Sequence, residues 1–401
     1  MIPVRDKHIL LGVSGSIATY KAVALASRLV QAGATVDVMM SEAATKMVQP
    51  LSFQAITHRV VLTDMWAQGA ETEIGHVTLA KAVDALLVAP ATANTMAKLA
   101  LGFADNFLTT TALALRAPLI VAPAMESGMW EHPATQQHIA TLRQRGAWIV
   151  APEAGYLASG ASGVGRLASE AQILATVAQA MTAQDMAGRK VIVTAGGTQE
   201  AIDPVRVIAN HSSGRMGYAV AEAAARRGAT VVLISGPTAL SPPPHVALCR
   251  VTSADAMQRA LLAELPDADA LLMAAAVADY RPAQAAPQKI KKNDDELLLR
   301  LVRNPDLLMS VKAQKPPQLI TVGWAAETEN LLANGRSKLT RKGLDLLVAN
   351  QVPQSFGGDQ VQATFIRAEG DEALPVMSKA ALSEKILDEV VRLWARANDN
   401  A

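Results

Sequence analysis

The first half of the chain alternates short apolar runs with stretches of helical periodicity. Apolar runs of strand length occupy His8–Val13 and Val36–Met40, and a helical pattern over Ile17–Ala32 lies between them. Gly33 follows that pattern, and glycine commonly terminates helices. Three more strand-length runs are Ala82–Ala89, Pro118–Ala122 and Ala147–Ala151. Because these runs are continuous rather than alternating, they predict strands buried on both faces of a parallel sheet covered by helices.

The same alternation restarts in the second half of the chain. A strand is predicted at Lys190–Thr194, and a helix at Met216–Arg227 is closed by Gly228. The other strand candidates of this half are Thr230–Ser235, Ala270–Ala276, Leu319–Trp324 and Leu344–Ala349. Two strand-like runs within Lys289–Arg303 flank the polar turn 293–295 and predict a hairpin.

The point at which the alternation of strands and helices restarts predicts a domain boundary. A helix is predicted over Ser169–Met181, where Ser169 and Gln172 stand at capping-box spacing, and the polar stretch Gln184–Arg189 follows it. We therefore predict an α/β protein of two domains, 1–188 and 189–401. Each domain is expected to contain a mostly parallel sheet covered by helices.

Composition narrows the class of protein. Among 401 residues, 37 basic and 36 acidic side chains give a net charge of +1, which disfavours electrostatic binding to nucleic acid or a membrane surface. Cys249 is the single cysteine, so an internal disulfide is excluded, and a reducing cytoplasm is the expected location. The second half carries two basic clusters, Arg281–Arg303 and Arg336–Lys342. They are either a solvated surface or a site for a polyphosphate.

Two local motifs of the first half are candidates for ligand binding or catalysis. The run Gly12–Ser16 joins a predicted strand to a helix, so it is either a phosphate-binding turn or an ordinary tight turn. Its spacing differs from the dinucleotide fingerprint, which disfavours a nicotinamide cofactor. His76 follows Gly75 and precedes a helical stretch. It is either a structural histidine or a group that transfers a proton near neutral pH.

Together with Ala89–Asn94 and Pro123–Trp130, these segments resemble the flavin-dependent cysteine decarboxylases across roughly residues 5–180. The resemblance implies a flavodoxin-like flavoprotein domain, FMN as cofactor and His76 as the catalytic histidine. The positions that it assigns to the flavin site are Gly15, Ser16, Ser41, Thr92, Asn94, Ala104, Asp105 and Asn106.

The chain departs from that family at two positions. Glu126, next to Met125 in the predicted substrate site, replaces an Asn that is expected to bind the substrate carboxylate. An ionised Glu126 would repel that carboxylate, so its side chain is either protonated or turned toward another group. Ser159, in the predicted flap 155–160, replaces a cysteine thought to protonate the enethiolate intermediate. Ser159 is the candidate at this catalytic position, with water or Tyr156 as alternative proton donors.

An ordered series of motifs runs through the second half, including Asp203–Arg206, Asn210–Gly217 and Ala274–Tyr280. The series resembles the phosphopantothenate–cysteine ligase domain over about residues 189–398. The resemblance implies Rossmann-like topology and a reaction in which the carboxylate of 4′-phosphopantothenate attacks CTP, with Mg²⁺, before cysteine displaces CMP. The windows of basic residues would then form a triphosphate site.

The resemblance also implies residue roles in the ligase. Lys289 is expected to stabilise charge on the phosphoryl oxygens, and Asn210 to hold the acyl-cytidylate. The positions expected to bind substrate or nucleotide are Ala275, Asp279, Pro305, Asp306, Leu307, Leu308, Trp324, Lys338 and Lys342.

The two families are commonly fused in this order in bacteria, for coenzyme A biosynthesis. We therefore expect ligation of phosphopantothenate to L-cysteine, then decarboxylation to 4′-phosphopantetheine. One alternative is a ligase with a flavin-binding scaffold that does not decarboxylate, and another is a two-domain nicotinamide oxidoreductase. The resemblance further implies a homo-oligomer, with decarboxylase trimers that build dodecamers and ligase domains that pair. Neither nucleic acid nor a membrane is an expected partner.

Overall fold

The computed structural model describes residues 4–65, 75–291, 296–327, 330–351 and 358–399. Contacts divide the chain between Ala183 and Gln184 into two compact units, a few residues before the boundary predicted after residue 188. Each unit is described by itself below. No helix of the described ranges is long and apolar enough to cross a membrane.

The first unit contains a parallel sheet, as the continuous apolar runs predicted. Its strands are β1 (His8–Val13), β2 (Thr35–Met40), β3 (Ala85–Ala91), β4 (Leu119–Pro123), β5 (Trp148–Ile149), β6 (Glu153–Tyr156) and β7 (Ser162–Arg166). The sheet has the order β2-β1-β3-β4-β5, with parallel neighbours throughout. The two remaining strands, β6 and β7, form an antiparallel hairpin around residues 157–161.

Helices cover both faces of this sheet. They are α1 (Thr19–Gln31), α2 (Glu42–Thr45), α3 (Pro50–Thr57), α4 (Gly75–Ala82), α5 (Ala93–Leu101), α6 (Phe107–Ala114), α7 (Ser127–Glu131), α8 (Pro133–Gln144) and α9 (Glu170–Ala180). Leu11 and Leu87 belong to one apolar cluster, and Leu10 and Leu86 belong to another. Successive strand residues therefore pack against opposite helical layers, which explains why the strands show no polar alternation.

The second unit is also an α/β structure. Its strands are β8 (Lys190–Ala195), β9 (Gln199–Ala201), β10 (Val207–Ala209), β11 (Thr230–Ser235), β12 (Val246–Arg250), β13 (Ala270–Met273), β14 (Tyr280–Pro282), β15 (Leu301–Arg303), β16 (Ile320–Glu327), β17 (Leu346–Gln351), β18 (Gln360–Val361), β19 (Thr364–Arg367), β20 (Gly370–Ala373) and β21 (Met377–Ser378). Its helices are α10 (Arg215–Arg226), α11 (Ala254–Glu264), α12 (Leu307–Gln314), α13 (Leu331–Lys342) and α14 (Lys379–Asp399).

The main sheet of the second unit has the order β12-β11-β8-β13-β16-β17-β19-β20. The first six strands in this order, from β12 to β17, are parallel to their neighbours. Strands β19 and β20 add antiparallel pairs at one edge. The prediction of two α/β domains with mostly parallel sheets is therefore confirmed.

The hairpin predicted within Lys289–Arg303 is wrong in its pairing. Strand β15 pairs with β14, so that Tyr280 lies opposite Arg303. The predicted turn at 293–295 lies outside the described residues. The first of the two strand-like runs has a different partner, because the backbone of Ile290 bonds to Asp203 and Arg206. Contacts far away in sequence therefore override the local hairpin pattern.

Candidate active sites

The first unit contains a cavity of about 650 Å³ at the carboxyl ends of β1, β3 and β4, beside the flap 155–160. We call it the first cavity. Ligands of open parallel sheets bind at this edge. Among the predicted site residues, those that line the cavity are Gly15, Ser16, Thr92, Met125, Glu126 and Ser159. The sequence motifs therefore identified several of the residues that line the first cavity.

The turn at Gly15 requires a residue without a side chain. A Cβ on Gly15 would lie 2.4 Å from the Ala43 Cβ, so the loop and helix α2 pack too closely for any other residue. Within the described residues, the N–H groups of Gly15 and Ile17 donate to no protein acceptor. Two unsatisfied donors before a helix suit an anionic group such as a phosphate.

Ser14 connects this turn to the next strand of the sheet. Its buried hydroxyl donates to the Pro90 carbonyl at 2.7 Å and accepts from the Thr92 N–H at 2.9 Å. Thr92 in turn caps helix α5 by accepting from the Thr95 N–H at 3.2 Å. These bonds fix the ends of β1 and β3 next to each other, and so they shape the floor of the first cavity.

Other predicted flavin residues have capping or pairing roles and lie outside the first cavity lining. Ser41 caps α2 through the Ala44 N–H at 3.3 Å, and Asn106 caps α6 through the Thr109 N–H at 3.0 Å. Asp105 accepts a hydrogen bond from Lys98 at 2.6 Å, which lowers the pKa of that carboxyl. The predicted residues that do not line this cavity are Ser41, His76, Asn94, Ala104, Asp105 and Asn106.

His76 lies on helix α4, in its first turn. That helix contacts α6, and a Cβ on Gly75 would lie 3.9 Å from the Phe107 ring. His76 is half-buried, and it belongs to the same helical layer as the Asn106 cap. Within one chain, the predicted catalytic histidine and the first cavity are therefore separate features.

Glu126 is turned toward its own helix. Its Oε2 atom accepts a hydrogen bond from the Gly128 N–H at 2.6 Å and caps α7. This contact agrees with the second of the two sequence alternatives, a side chain directed at another group. The carboxylate still lines the first cavity, but the cap orients one of its oxygens toward the helix.

The flap carries both candidate proton donors. Ser159 and Tyr156 line the first cavity and are exposed to it. The Tyr156 hydroxyl lies 3.7 Å from the position that a Cβ on Gly160 would occupy, so the ring folds over the flap loop. The loop itself is held by the Leu157 N–H, which donates to the Ala161 carbonyl at 2.8 Å.

Two cations of the first cavity were missed by sequence analysis, Lys21 and Arg166. Neither makes an ion pair in the part of the chain that the structure describes. Their cationic groups give the first cavity a positive charge that Glu126 only partly balances. The signal was present in the sequence, since Lys21 follows the Gly15 turn and Arg166 ends the glycine-containing strand β7. Single cations, however, are usually surface residues.

The second unit contains a cavity of about 600 Å³, which we call the second cavity. It lies beyond the carboxyl end of β13 and beside the carboxyl halves of β16 and β17. Asn210, Ala275, Asp279, Trp324 and Lys338 line it, as five of the predicted ligase residues.

The segment after β10 forms one wall of the second cavity. The Asn210 side chain donates to the Val277 carbonyl at 3.0 Å, which joins this segment to the end of β13. In the described chain, the backbone N–H groups of His211, Ser212 and Ser213 donate to no protein acceptor. A run of free donors before helix α10 is a suitable site for phosphoryl oxygens.

Several cations surround the second cavity. The Lys338 ammonium donates to the Trp324 carbonyl at 2.7 Å, and Arg215 forms an ion pair with Asp359 at 2.9 Å. Burial lowers the pKa of Lys379, whose ammonium donates to the Gly358 carbonyl at 2.6 Å. Arg215 and Lys379 were not singled out from the sequence. Lys379 lies far along the chain from the other site residues, and only the fold brings it to the cavity.

Other predicted ligase residues lie beside the second cavity without lining it. Lys342 forms an ion pair with Asp306, whose side chain also caps α12. Burial lowers the pKa of the Lys342 ammonium, while the charge of Asp279 acts in the opposite direction. Asp279 itself lines the second cavity, so its negative charge acts both on the cavity and on Lys342. The residues of this neighbouring group are Pro305, Asp306, Leu307, Leu308 and Lys342.

Lys289 is exposed and does not line the second cavity. It lies next to Ile290, whose backbone is bonded to the loop between β9 and β10. Among the residues that the structure describes, no group of three or more His, Cys, Asp or Glu side chains could hold a metal ion.

Comparisons with known proteins cover both units. Residues 3–182 match the family model described as Flavoprotein, and residues 186–393 match the model described as DNA/pantothenate metabolism flavoprotein C-terminal domain. The two models meet where the contacts divide the chain.

Curated relatives match the chain as a whole. The coenzyme A biosynthesis bifunctional protein CoaBC of Vibrio vulnificus is 45% identical over 98% of this chain and 99% of its own length. That of Bacillus subtilis is 44% identical over 99% of this chain and all of its own length. A crystal structure of the C-terminal domain of a CoaBC protein is 35% identical, covers 53% of this chain and 100% of that one, and has a TM-score of 0.47. The chain therefore belongs to the family of coenzyme A biosynthesis bifunctional proteins.

Proposed function

We propose that the second unit ligates 4′-phosphopantothenate to L-cysteine with CTP and that the first unit decarboxylates the product with FMN. The observation that carries this proposal is one cavity at the carboxyl strand edge of each parallel sheet, each lined by residues of the expected family motif. Ligation precedes decarboxylation because the ligase product, phosphopantothenoylcysteine, is the substrate that the decarboxylase requires.

The residues of the first cavity fit FMN. Free N–H groups at Gly15 and Ile17 suit its phosphate, and the space that Gly15 leaves open brings the backbone close to a ligand. Thr92 and Ser16 would lie beside the cofactor. The chemistry that the flavin supplies when bound is hydride transfer.

The chain's own groups would orient the substrate and move protons. Lys21 and Arg166 suit the phosphate and the carboxylate of phosphopantothenoylcysteine, since both are cations without an acidic partner in the described ranges. The flap would exclude water and present Ser159 or Tyr156 as the proton donor for the final step. The phenol of Tyr156 is the stronger acid of the two side chains, and it therefore suits this role better.

The second cavity fits a nucleoside triphosphate. The free N–H groups of residues 211–213, together with Arg215, Lys338 and Lys379, make an anion-binding wall. Trp324 offers an aromatic face. Mg²⁺ would enter with the triphosphate, because it usually keeps several waters and binds through substrate phosphates. Asn210 would hold the acyl-cytidylate, and Lys289 would stabilise the charge that develops on the phosphoryl oxygens.

The scaffold alternative, a flavin-binding unit that does not decarboxylate, rested on Glu126 and Ser159. The capping contact from Gly128 to Glu126 weakens the first of these arguments, because the carboxylate is directed at its own helix. Tyr156 in the flap weakens the second argument, because it supplies an acidic hydroxyl. Family membership among bifunctional proteins also favours the enzyme.

We also propose that the protein works as a homo-oligomer. His76 and the Asn106 helix cap do not line the first cavity of their own chain. A second copy that brings its His76 to that cavity would complete the site. Exposed apolar side chains on the first unit, among them Leu51, Val60 and Leu113, provide surface for such a contact.

The test of the function supplies purified protein with 4′-phosphopantothenate, cysteine, CTP and Mg²⁺. Release of both pyrophosphate and CO₂ is the expected result. Pyrophosphate without CO₂ would support the scaffold alternative instead. Release of neither product, from protein that melts cooperatively, would contradict both functions.

Gly15→Ala is expected to lower the amount of bound flavin. The added methyl group would press on Ala43 and displace helix α2 or the loop that carries the free N–H groups. Such overpacking costs about 1–3 kcal/mol in unfolding free energy. Flavin absorbance per chain and the midpoint of thermal unfolding measure both effects. A full complement of flavin with an unchanged midpoint would show that the turn tolerates a side chain.

A further inference from the structure

Asp203 lies in the loop 202–206 between β9 and β10, and its side chain has no exposed surface. Its Oδ1 atom accepts hydrogen bonds from the Val205 and Arg206 N–H groups, both at 2.8 Å. These two bonds form a tight turn of a kind that Asp commonly stabilises. One carboxylate oxygen is thus occupied by the loop itself.

The other oxygen of Asp203 serves a different segment. Oδ2 accepts from the Ile290 N–H at 3.1 Å and from Arg206 Nη1 at 3.1 Å. Arg206 Nη2 in turn donates to the Ile290 carbonyl at 3.3 Å, and the Ala286 N–H donates to the Ile202 carbonyl at 2.8 Å. The backbone on both sides of residues 287–289 is therefore bonded to the loop.

Burial by itself would raise the pKa of the Asp203 carboxyl. The backbone N–H groups of Val205, Arg206 and Ile290 outweigh that effect and hold its pKa below the usual value. The group is therefore an ionised acceptor at neutral pH, which is the form that binds four donors.

The same loop is continuous with the wall of the second cavity. Strand β10 ends at Ala209, and Asn210, which follows directly, lines the cavity and is bonded to Val277. Lys289 stands on the tethered segment with an exposed side chain and makes no ion pair within the described ranges. The loop therefore connects the Lys289 segment to the cavity wall, and the wall has its own anchor in the bond from Asn210 to Val277.

We propose that Asp203 is a positioning residue of the ligase: it holds the backbone at Ile290 and so sets the place of the Lys289 ammonium relative to the second cavity. This inference rests on the proposed role of Lys289 in ligation. It assigns to the Asp203–Arg206 loop a function beyond turn formation, because only one of the two carboxylate oxygens is needed for the turn.

Asp203→Asn separates the two roles. The amide oxygen can keep the bonds to Val205 and Arg206, whereas the amide NH₂ would face the Ile290 and Arg206 donors without an acceptor. The ligase kcat is expected to fall by up to about 10²-fold, the effect of a misplaced group near reacting atoms. KM for CTP is expected to stay unchanged, because the cavity wall still binds nucleotide.

Trypsin cleavage of the native protein after Lys289 and Lys291 provides a second measurement. Cleavage is expected to become faster in Asp203→Asn, since the segment loses its tether. The matched control is Glu200→Gln on strand β9, a buried residue whose Oε1 atom accepts from the Ala254 N–H at 2.8 Å. The glutamine keeps that acceptor and does not contact the Lys289 segment, so both cleavage and kcat should remain as in the unmodified protein.

Replacing a buried carboxylate can unfold the second unit, so a second variant tests the same bond without changing Asp203. Ile290→Pro removes the backbone N–H that donates to Asp203. It is expected to reproduce the lower kcat and the faster cleavage after Lys291, with CO₂ release from supplied phosphopantothenoylcysteine unchanged. Only cleavage after Lys291 is compared in this variant, because trypsin does not cut a Lys–Pro bond. Unchanged kcat in both Asp203→Asn and Ile290→Pro would overturn the inference, even if cleavage becomes faster.

The double variant Asp203→Asn/Lys289→Gln tests whether Asp203 acts through Lys289. Its ligation rate is expected to equal that of Lys289→Gln alone, because the positioned ammonium is already missing. Losses that multiply would overturn the inference and leave the proposed function intact. Full ligation by Lys289→Gln alone would instead show that the proposed role of Lys289 is wrong, and the inference would fall with it.

Discussion

Replacing Lys289 with Gln is expected to reduce ligation by about 10²–10³-fold, the loss typical of removing one group that stabilises transition-state charge. Glutamine is one atom shorter than lysine, remains polar and removes the cation that would face the phosphoryl oxygens. Decarboxylation of supplied phosphopantothenoylcysteine should be unchanged, since the first cavity belongs to the other unit. Pyrophosphate release, followed at saturating CTP, measures the effect on kcat.

Lys291→Gln is the matched control for this experiment. Lys291 is exposed and lies two residues along the same basic cluster, but no individual role in ligation is assigned to it. It removes the same charge from nearly the same surface, so a general effect of lower positive charge would appear in both variants. Equal losses in the two variants would show that Lys289 has no specific role.

His76→Asn is expected to reduce CO₂ release by about 10²–10⁴-fold, the usual contribution of a group that transfers a proton. The asparagine retains a hydrogen-bonding side chain of similar size but does not titrate near neutral pH. Ligation and bound flavin should both remain. The release of labelled CO₂ from carboxyl-labelled substrate measures the loss, and pyrophosphate release in the same sample confirms an intact second unit.

His58→Asn provides the control, because it makes the same substitution elsewhere in the first unit. His58 is exposed and has a positive φ of 55°, a conformation that Asn adopts readily. The control should therefore fold and decarboxylate normally. If His76→Asn also keeps its full rate of CO₂ release, the proton-transferring role of His76 is wrong.

Much of the fold could be predicted because it depends on local patterns. Strand β1 was predicted with the bounds that the structure has, and Ser169 caps α9 by accepting from the Gln172 N–H. Burial of an apolar run and capping of a helix by a polar residue both depend on interactions among residues that are close in sequence. Predictions of this kind therefore depend little on contacts with distant parts of the chain.

The candidate sites were only partly predictable. Ser16 and Thr92 line the first cavity as expected, since both follow strands whose ends meet at one edge of the sheet. The placement of His76 outside that cavity has no signal in its neighbours in sequence. The predicted hairpin at Lys289 failed for a related reason, because the partner of Ile290 is 87 positions away.

Patterns along the chain were sufficient to identify the elements, the two parallel sheets and the families whose motifs follow their strands. Hydrophobic periodicity and motif spacing are properties of neighbouring residues, so they are readable along the chain. The folded chain was needed to show which charged groups share a cavity and which contacts hold them there. Lys379 at the second cavity and the two separate tasks of the Asp203 oxygens depend on contacts across long separations. Such contacts arise when buried polar groups must all find partners at once, a condition that no local pattern records.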